Sequence, residues 1–171
     1  VFFGHDVGVG KIYDDKNIAV FSTENTHFSF HGGGNAGLYK SYSYRFETSD
    51  KIIGFTGDTG SSAAVAELLK DADIMVTETS SCDERKNRMM DDGTWQKMSV
   101  AEQEGIMRQA TQGHMGLENI GKLATKAAVK KVVLSHLTRR HASTDYQPWA
   151  EEVQKYFSGE VVVAEDLMEF L

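Results

Sequence analysis

KIIGFTGDT, residues 51–59, runs from an apolar segment of strand character into a Gly-Asp-Thr turn. This sets the Asp58 carboxylate at the C-terminal end of a strand. Two other stretches repeat the arrangement: residues 73–78 (DIMVTE) end in Glu78, and residues 131–136 (KVVLSH) end in His136. Three strands that each deliver a carboxylate or an imidazole to the same edge suggest a metal-dependent active site, because a sheet fixes the positions of the groups at its strand ends.

Outward from this stretch the elements alternate. Residues 17–22 (NIAVFS) read as a strand whose extension reaches His27, and a glycine-rich segment, HGGGNAG at 31–37, follows. Residues 39–47 (YKSYSYRFE) alternate aromatic and polar side chains at period 2. With the turn at 48–50 they form a β-hairpin with the strand that leads to Asp58. Tyr42, Tyr44 and Phe46 share one face of that strand and are assigned to the core. Residues 61–70 form a helix capped by serines, with Ala64, Val65 and Leu68 on its buried side. Beyond Glu78 a polar, Met-rich stretch through Asp91-Asp92-Gly93 reads as a loop, and a helix starts at about Ser99. A second helix covers 115–130, and a third covers 149–157 after the single Pro148. Residues 161–164 (VVVA) close the chain as a buried strand.

Composition narrows the function. The formal charge of −7 argues against a broadly basic surface that grips a nucleic-acid backbone. Cys82 is the only cysteine, so a Cys-rich zinc site is excluded and any metal must be held by His, Asp and Glu, a donor set suited to zinc, manganese or iron. At 171 residues and 40% hydrophobic content the chain fits one globular domain. No apolar run is long enough to cross a bilayer, so no membrane partner is expected and a reducing, cytoplasmic compartment is. The sequence begins at Val1 without an initiator Met and reads as a fragment.

Taken singly, the candidate residues are ordinary. An Asp between two glycines is a turn residue, and the GDTG turn lacks the spacing and lysine of a phosphate loop. His27 follows a Thr/Asn-rich run, His114 precedes a helix, and His136 closes a strand. The order His27, Asp58, Glu78, His114, His136, with three members closing strands, is what points to shared chemistry.

ENTHFSF, KSYSYRFET, FTGDTG, the strand ending in Glu78, GHMGLENIGKLA and VVLSHLTRRH together resemble the later portion of the metallo-β-lactamase superfamily. Within it the ribonuclease Z-like branch matches best. The resemblance implies the α/β class and an αββα sandwich that lacks its N-terminal part, with residues 1–171 forming the C-terminal portion of a single domain. It implies two divalent metal ions, zinc first, with manganese or iron as alternatives. His27 is then a ligand of the first metal, Asp58 the carboxylate that bridges both, and His136 a ligand of the second. Glu78 and His114 match a pair that assists the leaving group. The implied reaction is hydrolysis, most plausibly of a phosphodiester, by a metal-activated hydroxide. Another ester or a β-lactam on the same fold is an alternative, as is a truncated, non-catalytic binding or assembly module.

Two departures from the family pattern shape these expectations. The leading His-x-His-x-Asp-His cluster is nowhere in the sequence, and His5-Asp6 has the wrong spacing to replace it. Three protein ligands remain, one of them shared, so this chain alone is expected to be weakly active or inactive. An uncovered apolar sheet face is expected too, and with it a homo-oligomer or a complementing fragment. In addition, only thirty-one positions separate His27 from Asp58, too few for the arm with which ribonucleases Z grip tRNA, and the usual His-Ser-Thr run reads His114-Met115-Gly116. Both points argue against tRNA and favour a small-molecule ester or phosphodiester. Of lesser weight, residues 31–35 read as an ordinary mobile loop, with lining of the pocket as the alternative, and Arg139, Arg140 and His141 follow His136 as a charged cluster. Met89, Met90, Met98 and Met107 are taken as core filler.

Overall fold

The computed structural model describes residues 4–29, 37–80, 82–137 and 145–170. The 31–35 loop and Arg139, Arg140 and His141 lie outside the described residues. Seven strands stand in chain order in one sheet. Strands β1 (Gly10–Asp14), β2 (Ala19–Glu24), β3 (Tyr42–Glu47) and β4 (Ile52–Phe55) form an antiparallel meander. Strands β5 (Ile74–Thr79), β6 (Lys131–Leu137) and β7 (Glu160–Val163) continue it in parallel. Parallel neighbours need crossover connections, and helices supply them. Helix α1 (Ala63–Leu68) joins β4 to β5, and α6 (Gln147–Gln154) joins β6 to β7. Four helices join β5 to β6: α2 (Cys82–Asp91), α3 (Thr94–Lys97), α4 (Val100–Gln112) and α5 (Leu117–Lys126).

The core lies between the sheet and helices α1, α5 and α6. Val65, Leu69, Met75, Met115, Ile120, Val132, Leu134 and Val153 are fully buried there in one cluster. Gly54 permits this closeness, since a Cβ at that position would stand 2.1 Å from Leu69 Cδ2. The period-2 reading of β3 holds, but its faces are exchanged. Ser43 is buried, and Arg45 reaches the helix side to donate to the carbonyls of Leu68 and Lys70 at 3.1 and 2.6 Å. Tyr42, Tyr44 and Phe46 are therefore not core. They are half-buried on the opposite face, where Tyr44 and Phe46 line up against Phe55 and Ile53 of β4 and Phe55 remains 41% exposed. Among the described residues nothing forms a second sheet over this apolar face.

Several boundaries differ from the sequence-based expectation. Strand β1 lacks an apolar signature of its own. It is set by a turn in which Asp15 Oδ1 accepts the amides of Asn17 and Ile18 at 2.7 and 2.9 Å. The Met-rich stretch is helical, as α2, yet buries no residue, so no amphipathic pattern announces it. The 115–130 helix is shorter than its pattern: α5 ends at Lys126, and Ala128 (φ 53°) turns the chain back towards β6. Met75 and Met115 are the fully buried methionines, whereas Met89, Met98 and Met107 are half-buried and Met90 is exposed. Among the described residues, no helix is long and apolar enough to cross a membrane.

Candidate metal centre

The site gathers at the C-terminal ends of β4, β5 and β6. After Phe55 the chain leaves β4 with one more parallel bond, from the Thr56 amide to Val76 O at 3.0 Å. Gly57 then turns it at φ 59°, a conformation that favours glycine, and Asp58 emerges at the turn. Beneath it lies a layer of buried hydroxyls. Ser43 Oγ donates to Thr56 O at 2.5 Å, and Thr56 Oγ1 donates to Gly57 O at 2.8 Å. Gly60 closes the turn against the end of α4, where an added Cβ would stand 2.0 Å from Gln112 O.

His27 is not carried by a strand extension, because β2 stops at Glu24. It sits in a turn whose amide donates to Asn25 Oδ1 at 3.1 Å, and Asn25 in turn donates to Thr56 O at 3.2 Å. The His27 Nδ1–H donates to Gly113 O at 2.8 Å. That bond leaves Nε2 with a free lone pair, the state in which histidine binds a metal. The His114 ring stands edge-on to it, with centroids 4.9 Å apart.

Glu78 is 3% exposed at the end of β5. Its Oε1 accepts the Met115 amide at 3.1 Å and the Thr59 amide at 3.4 Å, and lies 3.2 Å from His114 Nδ1. The short polar contact with Glu78 is the main cause that holds the His114 imidazole above its ordinary value of 6.5, and the Glu78 charge adds to it. Asp58 adds to the rise, while burial and Arg85 oppose it. The Nδ1–H lies off the line to Oε1, so this is an ion pair more than an aligned hydrogen bond.

His136 is delivered differently. The β5–β6 register slips at this point: Glu78 faces Ser135 and Thr79 faces Leu137, so His136 has no partner in the ladder. Its backbone adopts φ 50°, uncommon for a residue with a side chain. A bulge of this kind re-aims a side chain, and here it brings His136 Nδ1 to 3.1 Å from Asp58 Oδ1. A groove of about 1050 Å³ opens beside it, lined by His136, Tyr146, Ala150, Val162 and Asp166 among others. A smaller hollow of about 560 Å³ around Phe21, Arg45 and Leu68 lies by Ile52, at the far end of β4 from Asp58.

All five candidate residues are thus brought together. Potential ligand atoms of His27, Asp58 and His114 lie within 4.8 Å of one another, as do those of Asp58, Glu78 and His136. The donors are imidazole nitrogens and carboxylate oxygens, and Asp58, 34% exposed, belongs to both groups. This set fits divalent metal ions of the zinc, manganese or iron type. Glu78 is the weakest ligand candidate, since one of its oxygens already accepts two backbone amides and faces His114 Nδ1. Asn25, Thr26, Thr59 and Gly113 belong to the site but were not singled out from the sequence. Their contacts span up to 86 positions, and although all four fall in stretches quoted for the family resemblance, nothing local marks them as supports of the site.

Residues 6–137 match the family model described as "Beta-lactamase superfamily domain". A curated relative, Ribonuclease Z of Methanosarcina acetivorans, is 31% identical over 119 residues, which are 70% of this chain and 32% of that protein. The chain therefore spans about a third of the length of such relatives. Among solved structures, the metallo-β-lactamase fold protein YhfI from Bacillus subtilis superimposes with a TM-score of 0.62 at 18% identity, covering 91% of this chain and 50% of that one. The short form of human tRNase Z gives 0.53 at 17% identity, covering 92% and 43%.

Proposed function

This chain belongs to the beta-lactamase superfamily and is ribonuclease Z-like; from that premise we propose that the full-length protein hydrolyses phosphodiester bonds with two divalent metal ions, zinc foremost. The observation that carries the reading is the double membership of Asp58, whose carboxylate stands between the His27 and the His136 sides of the site. A carboxylate can offer one oxygen to each of two cations while its charge offsets part of theirs. His27 contributes Nε2, with Nδ1 tied to Gly113 O, and His136 serves the second position. Held by His27, Asp58 and His136, divalent ions would supply the chemistry of activating water and polarising the oxygen of the scissile bond. His114, kept protonated by Glu78, gives its Nε2 proton to the departing alkoxide, a contribution of about 10²–10⁴-fold.

The names of the relatives favour a second reading in which the phosphodiester belongs to tRNA. Against it, the described residues between His27 and Asp58 are largely the β3–β4 hairpin and its approach, with no projecting arm. The zinc-loaded full-length protein should be assayed on bis(4-nitrophenyl) phosphate, on a tRNA precursor and on a chromogenic β-lactam. Chelator-sensitive turnover of the small diester with little cleavage of the precursor is expected. Preference for the precursor would establish the second reading, activity on the β-lactam alone would move the protein to another hydrolase class, and bound metal without turnover would leave a binding module.

A further inference from the structure

Thr59 is fully buried, and both its amide and its hydroxyl are engaged at the junction of the site's loops. Its Oγ1 accepts the Thr26 amide at 3.2 Å, lies 3.2 Å from Thr26 Oγ1 and donates to Gly60 O at 2.9 Å. Its own amide faces Glu78 Oε1 at 3.4 Å, the oxygen that also takes the Met115 amide and faces His114. Thr26 immediately precedes His27, and Thr59 immediately follows Asp58. One side chain and one amide therefore connect with the supports of three site residues drawn from three distant parts of the chain.

The geometry points to Thr59 as a positioning residue that latches the His27 turn onto the Asp58 turn and so sets the spacing at which both ligands meet a metal. Two features of the fold make this side chain the one able to do so. The turn bearing Asp58 leaves the sheet after Thr56, and the His27 turn leaves it after Glu24, so neither ligand is held by a ladder bond of its own. The other tie between the two turns, Asn25 to Thr56 O, acts on the stem of the Asp58 turn and not on its tip. The latch needs a hydroxyl that accepts from one turn while donating within the other, together with a buried methyl group that fixes its rotamer. Threonine and, less rigidly, serine meet that need; valine has the shape without the oxygen.

This assignment rests on the metal-binding reading, and its test separates the two. Zinc affinity and amide hydrogen exchange would be measured on the full-length protein and its variants Thr59→Val and Thr59→Ser, with exchange read in metal-free protein. In wild type the Thr26 amide should be protected. T59V should lose that protection while amides of β6 keep theirs, and zinc affinity should fall about 10–100-fold, the range seen when groups that orient metal ligands are removed. T59S should restore most of both. An unprotected Thr26 amide in wild type, or a T59V variant that binds zinc as wild type does, overturns the assignment. Should T59V fail to fold, Thr59→Ala, which is smaller and also lacks the oxygen, takes its place: it must lose the Thr26 protection and weaken zinc binding, and unchanged affinity overturns the latch. A wild-type protein that takes up no zinc counts against the proposed function. The exchange pattern still judges the latch in that case.

Discussion

On one side of the candidate site His27 is held by a hydrogen bond and His114 by an ion pair, and on the other side His136 is held by a bent backbone. His27 is tied to Gly113 O, and His114, 12% exposed, is paired with a carboxylate that also anchors two backbone amides. His136 is 67% exposed, stands out of the β-ladder at positive φ and has the Asp58 carboxylate beside it. The first arrangement fixes ring orientation before any ligand arrives. The second places a ring by local strain that the β5–β6 pairing on either side must sustain, a cost of order 1–3 kcal/mol at such positions. The lesson is that ligands at one sheet edge can be oriented by two different means, and that Asp58 is where the two meet.

The largest effect is expected where both sides depend on one residue. Asp58→Ala should abolish metal-dependent hydrolysis in the full-length protein while circular dichroism shows it still folded; full activity in that variant would remove the bridging role. Next, His114→Ala probes the anchored side alone. Turnover should drop about 10²–10⁴-fold with metal content retained, and an equal loss of metal in elemental analysis would make His114 a ligand. A smaller effect is expected from Gly60→Ala, which pushes on the Gln112 carbonyl and so on the Gly113 contact of His27. Overpacking of this kind costs about 1–3 kcal/mol. Urea denaturation should register it, and amide shifts near His27 should move more than those near His136.

The mildest test is a titration. The folded pKa of His114 lies above its unfolded value, so the stabilisation from its pairing with Glu78 is fully present below about 6.5 and fades as pH rises through the folded value. Glu78→Gln should lower the pH at which the His114 imidazole resonance titrates, towards or below its ordinary value of 6.5. The stability difference between wild type and E78Q should narrow as pH rises through the wild-type His114 pKa. A His114 titration that does not respond to E78Q would show that Glu78 does not hold the proton.

Much of this was legible in the chain. The apolar run before GDTG, the DIMVTE stretch and KVVLSH gave three strands in their order; α1 followed from its serine cap, though Ala64 proved exposed, and α5 from its apolar spacing alone. Helix α2 was not legible, because it buries nothing and so leaves no periodic mark. The faces of β3 were misread for a related reason: alternation reveals two faces but not which one meets the helices, and Arg45 took the inner side because the C-terminal carbonyls of α1 were there to receive it.

The site divides in the same way. Which residues are the candidates (His27, Asp58, Glu78, His114 and His136) could be read from the sequence, because side-chain type and local motif are properties of the chain itself. How they are held was decided by tertiary structure. The His27–Gly113 bond, the Thr26–Thr59 bond, the two amides and the imidazole gathered on Glu78 and the bulge that turns His136 all join positions far apart in the chain or depend on how two strands fall into register. Local pattern encodes which element forms. Only packing brings a donor to an acceptor thirty or eighty residues away, and it is packing that turns five separate side chains into one centre.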